Sequence, residues 1–455
     1  MHLHQQLHDE GKGIPPTLPP EKHRDGTPHR ACAATGGPLL LLDSDSYILY
    51  FPSVMTSRIA LPDGDPGELG FIPNRLEELR LRLDSYVSEG HYAGITALIA
   101  RDGRVAYFSA HGYRDLEDAL PMDRETIVRI YSMTKVVVSV AALMLFEEGR
   151  FRLGDPLSLY VPEFAASMVV AGGTKENPEL IPAARPILIK HLFNHTAGFV
   201  YPDPKGNLPQ QIYDGAALDS ANSLADLAVR LSKLPLGEQP GEAFCYGFST
   251  DVLGHVIEVI TGKRLDEFLA ERIFGPLEMN DTVYAVPVSK RHRLAAAYRE
   301  TPTSRLERIT NFSKHEDEPG VRRYPEGGTG LFSTIDDYAK FAEALRQGGQ
   351  WNGVRLLGRK TIELMTANHL SGLRVPYHSY TPGYGFGLGV ETRVDQGQAM
   401  KLGSIGDFGW SGWLGTICRI DPLERLVALC YVQHLPLTEY RLSQLFMNLV
   451  YQALA

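Results

Sequence analysis

Residues 132–149 read SMTKVVVSVAALMLFEEG, and this stretch fixes the centre of the fold. Its residues are apolar nearly all round a helical projection and a glycine ends it, so it predicts a helix buried on every side. At its start, Ser132 and Lys135 are three residues apart. That spacing brings Lys135 Nζ within reach of Ser132 Oγ on one helix face.

Ser132 and Lys135 have the chemistry of a nucleophile and its base. A serine hydroxyl attacks a carbonyl carbon efficiently only when a base takes its proton. A lysine takes that proton only when uncharged, which burial among apolar side chains favours. The helix start also offers the backbone N–H of Ser132 to a developing oxyanion. The competing interpretation is a capped helix start with a surface lysine, because S-x-x-K alone is a weak pattern.

Two downstream segments supply candidate partners. Tyr246 lies in PGEAFCYGFS (240–249), just before a predicted helix, and a phenol near a lysine can shuttle a proton between serine and leaving group. GWSGW (409–413) precedes a predicted strand, and the N–H of Trp413 is a candidate second oxyanion donor. An ordinary half-buried tyrosine and a packed strand start are the alternatives.

Taken together, the motifs resemble the serine β-lactamase and penicillin-binding-protein superfamily. SMTK, YGFS and WSG, at 132–135, 246–249 and 410–412, follow the order of its three motifs. The segments RIY, LFNHTAG, GGTGL and DP extend the similarity, at 129–131, 192–198, 327–331 and 421–422. The likeness runs from about residue 70 to the C-terminus. It is closest to the β-lactamase-like (family VIII) carboxylesterases.

The resemblance implies an α+β fold of the β-lactamase/transpeptidase type, in which helices flank an antiparallel sheet and a helical insertion domain is added. We expect residues 68–149 and 323–455 to form the α/β domain, with its sheet built from both chain ends. Residues 150–322 are expected to form a mainly helical domain. Residues 1–54, rich in histidine and proline at their start, are predicted to be a disordered N-terminal extension.

Local patterns predict the elements of this fold. The predicted helices span 76–89, 223–234, 252–261 and 437–455, and Ser333 is the expected N-cap of a further helix, with Asp336 completing an approximate capping box. The predicted strands span 95–100, 105–110, 383–392, 412–420 and 426–433, and an Asp-Gly pair at 102–103 indicates a hairpin.

The resemblance also implies roles for the site residues. Ser132 is the nucleophile, Lys135 and Tyr246 exchange its proton, and the N–H groups of Ser132 and Trp413 hold the oxyanion.

Two departures from the lactamase pattern bear on the substrate. Phe248 replaces an asparagine that binds an amide, and Trp410 replaces a lysine that anchors a carboxylate. We expect an apolar pocket formed by Phe248, Trp410, Ser411, Gly412 and Trp413, which favours neutral esters.

The predicted function is therefore a carboxylesterase, a serine hydrolase that cleaves neutral carboxylic esters with short acyl chains through a Ser132 acyl-enzyme. One alternative is acyl transfer to an alcohol or amine, as in the related statin-acylating transferases. β-Lactam hydrolysis, as main or side activity, is another. A catalytically inactive binding or sensor module is the non-enzyme alternative, and the intact set of Ser132, Lys135 and Tyr246 argues against it. No metal or cofactor is implied.

Composition limits the partners and the compartment. The 455 residues carry a net charge of −9, which argues against a general nucleic-acid binder. No apolar run approaches the length of a membrane span. Four cysteines without C-x-x-C spacing suit a reducing compartment, so we expect a cytoplasmic enzyme acting on a small-molecule ester. The oligomeric state stays open.

Other candidate sites carry weaker chemistry. No G-x-S-x-G elbow occurs. His191 and His195 lack the glutamate of a zinc protease and are expected to fix a loop by hydrogen bonds. Cys245 is expected to be a packing residue, residues 327–330 a tight turn behind the site, and Arg322 an ordinary solvated charge.

Overall fold

The computed structural model describes residues 60–301, 306–310, 316–375, 382–435 and 440–455, so the predicted extension over 1–54 lies outside the described residues. The α-helices are α1 Pro73–Ser88, α2 Thr134–Glu147, α3 Ile189–Phe193, α4 Leu208–Asp214, α5 Leu224–Ser232, α6 Ser249–Thr261, α7 Leu265–Leu269, α8 Ile335–Arg346, α9 Arg359–Thr366, α10 Gln396–Ala399 and α11 Tyr440–Gln452. The strands are β1 Gly94–Arg101, β2 Arg104–Asp115, β3 Leu120–Pro121, β4 Val128–Arg129, β5 Met168–Gly173, β6 Pro178–Pro182, β7 Tyr298–Glu300, β8 Leu306–Arg308, β9 Glu316–Glu318, β10 Val321–Arg322, β11 Phe332–Ser333, β12 Gln350–Trp351, β13 Val354–Arg355, β14 Tyr384–Phe386, β15 Glu391–Arg393, β16 Phe408–Ser411, β17 Ile417–Asp421, β18 Leu426–Tyr431 and β19 His434–Leu435.

One eight-stranded sheet organises the fold, with strand order β14-β15-β16-β17-β18-β1-β2-β3 and every neighbouring pair antiparallel. Its strands come from residues 94–121 and 384–431, two segments far apart in the chain. The turn at 102–103 joins β1 to β2, as the Asp-Gly pair predicts. The mixture of helices with an antiparallel sheet confirms the predicted fold class, whereas the division into domains stays a prediction.

Side-chain alternation along β1 explains the layers. Ile95, Ala97 and Ile99 belong to a buried cluster with leucines of α1 and apolar residues of α11, whereas Leu98 and Ala100 belong to a second cluster with α2 and α8. Successive strand residues point to opposite faces, so β1 is apolar on both. Helix α2 is buried along residues 134–145, as its apolar composition predicts.

Three local predictions differ from the structure. Residues 383–392 form β14 and β15 instead of one strand, because a Cβ at Gly389 (φ +91°) would lie 2.1 Å from Ser139 Oγ of α2 and the chain turns there. Residues 412–416 form a turn before β17. Thr334, not Ser333, caps α8 by accepting from Asp337 N–H, and Ser333 Oγ instead lies 2.8 Å from Thr282 Oγ1.

The middle third contains the β5–β6 hairpin besides its helices. Most of its positions are exposed or half-buried, so the sequence shows no apolar alternation there. Within the described ranges, no helix combines the length and apolar character needed to cross a membrane.

Candidate active site

Ser132 lies in a single 3-10 turn, Tyr131–Met133, between β4 and α2. The α-helix itself begins two residues after Ser132, slightly later than the sequence pattern suggests. Lys135 stands in the first turn of α2 and its Nζ lies 3.2 Å from Ser132 Oγ, as the spacing predicts. Both side chains are buried, and Lys135 is only 1% exposed.

Lys135 Nζ has three hydrogen-bond partners. Besides Ser132 Oγ, it contacts the Tyr201 hydroxyl at 3.0 Å and the Gly328 carbonyl oxygen at 2.7 Å. An uncharged amine has two N–H donors and one lone pair. In the structure Nζ donates to all three oxygens; an uncharged Nζ would keep its two N–H donors for Tyr201 and Gly328 and could then turn its lone pair to the Ser132 hydroxyl. The arrangement therefore suits a lysine that receives a proton from serine.

The backbone before the nucleophile is strained. Tyr131 has φ of +42°, a left-handed conformation that costs a non-glycine residue energy and persists where surrounding contacts hold it.

The guanidinium of Arg322 lies 5.2 Å from the centre of the Tyr131 ring. The expectation that Arg322 is a solvated charge is wrong, because its side chain is fully buried and lies 3.9 Å from carboxylate oxygens of Glu316 and Glu326.

Tyr246 is placed beside Lys135, just before α6. Lys135 Nζ lies 4.8 Å from the centre of the Tyr246 ring, and the Tyr246 hydroxyl oxygen accepts a hydrogen bond from Trp410 Nε1 at 3.1 Å. The neighbouring Cys245 N–H donates to the His195 carbonyl at 2.6 Å, which fixes the backbone here. Because the Trp410 bond uses only a lone pair, the Tyr246 hydroxyl proton stays available for transfer.

Tyr201 is a site residue that sequence reasoning missed. It lies three residues after the LFNHTAG segment of 192–198, and the first tyrosine after that motif is the signal that could have found it. Burial raises the pKa of Tyr201 well above its usual value, and the charge of Asp251 adds to the effect. Tyr201 therefore keeps its proton and holds Lys135 without serving as a base.

The glycine-rich segment 327–330 forms the predicted turn, but it belongs to the site and not behind it. The carbonyl of Gly328 accepts from Lys135 Nζ, and its N–H donates to Asp251 Oδ1 at 2.9 Å. Asp251 lies on α6 and is 4% exposed. This chain of bonds links α6 to the lysine through the backbone of one residue, Gly328, which the sequence pattern alone does not reveal.

The third segment packs directly against the backbone beside the nucleophile. A Cβ at Gly412 would lie 2.3 Å from the Ile130 carbonyl oxygen, so only glycine fits. The next residue, Trp413, packs edge-on against Tyr131 with ring centres 5.4 Å apart. Within the described part of the chain, no backbone carbonyl accepts from the Trp413 N–H. These contacts place the Gly412–Trp413 segment beside Ile130 and Tyr131, the two residues that precede Ser132.

The expected pocket residues fall into two groups. Phe248 packs against Tyr201 and Trp410 against Tyr246, with ring centres 4.8 and 5.5 Å apart, so both are in the aromatic wall around Lys135. Ser411 ends β16 at an exposed position. Trp413 is 50% exposed, so its side chain lies at the protein surface.

The two histidines behave differently. His191 accepts from the Leu188 N–H, as expected for a loop-fixing residue, and burial lowers its pKa to about 4. The same expectation is wrong for His195, because neither ring nitrogen has a hydrogen-bond partner among the described residues. Burial lowers the pKa of His195 well below its usual value, so a neutral imidazole packs 4.8 Å from the Tyr246 ring. Cys245 is fully buried, consistent with packing.

No metal-binding arrangement occurs in the part of the chain that the structure describes: no three histidine, cysteine or acidic side chains are grouped to hold an ion. The groups that the structure brings together around Lys135 are the Ser132 hydroxyl and the phenol rings of Tyr201 and Tyr246.

Comparison with known proteins assigns the family. A family model described as Beta-lactamase matches residues 79–446, and the chain belongs to the beta-lactamase family. Protein Rv1367c of Mycobacterium tuberculosis is 33% identical over 359 residues, covering 76% of this chain and 87% of that protein. Esterase EstB of Burkholderia gladioli is 27% identical over 359 residues, covering 74% of this chain and 85% of EstB.

A solved structure gives the same fold. EstCE1, described as a hydrolase with promiscuous acyltransferase activity, superposes with a TM-score of 0.70 at 28% identity, covering 83% of this chain and 99% of that one. The predicted family resemblance is confirmed, and the chain is a serine hydrolase of the β-lactamase fold.

Proposed function

We propose that this chain is a carboxylesterase that cleaves carboxylic esters lacking an anionic group through an acyl-enzyme on Ser132. The observation that carries the proposal is the set of three contacts to Lys135 Nζ, which directs an amine at the Ser132 hydroxyl. The esterase EstB and the hydrolase EstCE1 support ester chemistry by similarity.

The first half-reaction forms the acyl-enzyme. Lys135 takes the Ser132 proton as Oγ attacks the ester carbonyl, and the N–H groups of Ser132 and Trp413 stabilise the negative oxygen. The carbonyl then re-forms and the bond to the alcohol oxygen breaks. Tyr246 donates its proton to the departing alkoxide and recovers one from Lys135.

The second half-reaction releases the acid. A water molecule attacks the acyl carbon and gives up a proton to the Tyr246 and Lys135 pair. The Ser132 oxygen leaves and takes that proton back, so the enzyme returns to its starting state and one water has been consumed for each ester cleaved.

Two aromatic side chains determine which substrate charge the site favours. Trp410 occupies the position at which lactamases carry a carboxylate-binding lysine, and its indole N–H is already engaged with the Tyr246 hydroxyl. Phe248 offers no hydrogen bond to a substrate amide. Anionic β-lactams and peptide termini therefore lose their main attractive contacts, while esters without a carboxylate lose nothing.

Acyl transfer to an alcohol or amine is a second candidate. The EstCE1 description is the observation that favours it, and the chemistry differs only in which nucleophile reaches the acyl-enzyme. Adding methanol during ester turnover distinguishes the two, because a transferase forms the methyl ester as its main product.

Turnover of p-nitrophenyl butyrate and of nitrocefin tests the proposal. We expect ester turnover at least about a hundredfold faster than nitrocefin turnover, and Trp410→Lys should narrow that gap by restoring an anion anchor. Nitrocefin turnover as fast as ester turnover would refute the account of Trp410 and Phe248.

A further inference from the structure

Arg322 is a buried charged residue that the proposed mechanism does not use. Its side chain is fully buried, and its guanidinium nitrogens lie 3.9 Å from carboxylate oxygens of Glu316 and Glu326. Both distances exceed a direct hydrogen bond, so the two acids balance its charge from a short distance. Burying a charge carries a large desolvation penalty, and an apolar side chain would be the simpler way to fill this position.

The guanidinium of Arg322 meets the residue that precedes the nucleophile. Its Cζ atom lies 5.2 Å from the centre of the Tyr131 ring. Burial raises the pKa of Tyr131 although the charge of Arg322 acts in the opposite direction, so the ring is a neutral phenol and the contact is a cation–π interaction. The left-handed backbone of Tyr131, with φ of +42°, persists only where its surroundings hold it. Arg322 is therefore one of the groups that fix the backbone entering Ser132.

The N–H groups of Arg322 hold a second segment. Nε donates to the Gly330 carbonyl and Nη2 donates to the Thr329 carbonyl, both at 3.3 Å. These two residues directly follow Gly328, whose carbonyl accepts from Lys135 Nζ. Arg322 therefore also fixes the backbone that orients the base.

The same segment is bonded to both sides of the turn that carries Ser132. The Leu331 carbonyl accepts from the Ile130 N–H at 3.1 Å, and the Leu331 N–H donates to Thr134 Oγ1 at 3.1 Å. Ile130 and Thr134 flank the turn Tyr131–Met133. A shift of residues 329–331 is therefore transmitted to the nucleophile, and a displacement of about 1 Å in a catalytic group can lower a rate by about a hundredfold.

We infer that Arg322 is a positioning residue, which sets Ser132 and Lys135 relative to each other by holding the Tyr131 ring and the carbonyls of residues 329 and 330 at once. The inference rests on the proposed ester hydrolysis and adds to it a residue that acts through its neighbours.

Arg322→Lys isolates the contact with the ring. A lysine at this position keeps a positive charge between the two carboxylates and can donate to a carbonyl, but it lacks the planar guanidinium that meets Tyr131. We expect kcat with p-nitrophenyl butyrate to fall about tenfold and KM to change by less than about twofold, because Ser132 and its base are misplaced while substrate contacts remain. Wild-type kcat in Arg322→Lys overturns the inference.

A double-mutant cycle separates this role from a general loosening of the structure. Tyr131→Leu should also lower kcat by about tenfold. Adding Arg322→Lys to it should lower kcat by less than about threefold further, because the ring through which Arg322 acts is gone. Independent effects would multiply to about a hundredfold, and that result overturns the inference.

Arg393→Lys is the matched control. The Arg393 side chain is 1% exposed, its Nε lies 2.6 Å from Asp407 Oδ2, and its guanidinium lies 4.9 Å from the centre of the Tyr384 ring. Its hydrogen-bonded side-chain contacts are with residues 396–407. We expect this variant to be less stable in denaturant while its kcat stays within about twofold of the wild-type value. A tenfold loss of kcat here would mean that changing any buried arginine has the same effect, which overturns the assignment to Arg322.

Circular dichroism and denaturant unfolding show whether each variant is folded before its kinetics are measured. If Arg322→Lys does not fold, Tyr131→Leu decides, because it removes the ring and leaves the charge of Arg322 in place. Wild-type kcat in Tyr131→Leu overturns the inference. Proposed ester hydrolysis survives that result as long as the wild-type protein cleaves p-nitrophenyl butyrate, whereas no wild-type turnover overturns both.

Discussion

At the scale of single residues, the site depends on how Lys135 is held. The S-x-x-K spacing predicts its contact with Ser132, because helix geometry alone determines it. Its other two partners, Tyr201 and Gly328, come from segments 66 and 193 residues away. No local pattern encodes such contacts, so the sequence predicts that Ser132 and Lys135 meet but not which groups hold Lys135 in place.

Removing the Tyr201 hydroxyl tests this orienting role. We expect Tyr201→Phe to lower kcat by about tenfold with little change in KM, because Lys135 loses one of the contacts that direct it at Ser132. Tyr246→Phe should cost more, about a hundredfold or above, since it removes a proton donor. The control is Tyr113→Phe on the exposed part of β2. Steady-state kinetics with p-nitrophenyl butyrate measures all three, and wild-type kcat in Tyr201→Phe would refute the role.

At the scale of elements, regular segments were predictable and irregular ones were not. Helix α2 and the β1–β2 hairpin follow from apolar periodicity and an Asp-Gly turn, both of which are local signals. The break between β14 and β15 depends on the approach of Gly389 to α2, and the cap of α8 depends on which of two adjacent hydroxyls is engaged elsewhere. Both are decided by tertiary packing.

Gly412→Ala tests the close approach of the third segment to the nucleophile turn. Its Cβ would meet the Ile130 carbonyl oxygen at 2.3 Å and Thr416 Oγ1 at 2.2 Å, so the segment must move away. We expect kcat to fall about a hundredfold as the Trp413 N–H leaves the oxyanion position, with stability lowered by about 1–3 kcal/mol.

The matched control is Gly154→Ala, because a Cβ there meets nothing within 4 Å. It should change the free energy of unfolding by less than about 0.5 kcal/mol. If Gly412→Ala keeps wild-type kcat in ester assays, Trp413 does not supply the second oxyanion donor.

At the scale of the whole molecule, a buried ion pair ties the nucleophile segment to the middle of the chain. Arg129, in the strand before Ser132, donates to both carboxylate oxygens of Glu316 at 2.7 and 3.0 Å, and both side chains are at most 5% exposed. Burial by itself raises the pKa of Glu316, but the hydrogen bonds and charge of Arg129 outweigh it and the net pKa is lowered.

Glu316→Gln should therefore destabilise the protein by about 3 kcal/mol at pH 7, because it leaves a buried guanidinium without its counter-charge. A lowered pKa in the folded state means that the stabilisation is present above the ordinary glutamate pKa, about 4.3, and is lost as the pH falls through the folded-state value.

Denaturant unfolding at several pH values measures the difference in free energy of unfolding between the wild-type protein and Glu316→Gln. This difference should shrink below about pH 4. The control is Glu307→Gln, in an exposed pair with Arg299, with an expected change below about 1 kcal/mol. If the loss of unfolding free energy in Glu316→Gln stays the same from pH 7 to pH 3, the ion pair of Arg129 and Glu316 does not stabilise the protein as described.

The mass of the intact protein after brief incubation with p-nitrophenyl butyrate shows whether Ser132 carries the acyl group. We predict the added mass of one butyryl group, mapped by peptide sequencing to Ser132 and absent from Ser132→Ala, which should fold normally and lack turnover. An adduct on another residue, or ester turnover that persists in Ser132→Ala, would contradict the account.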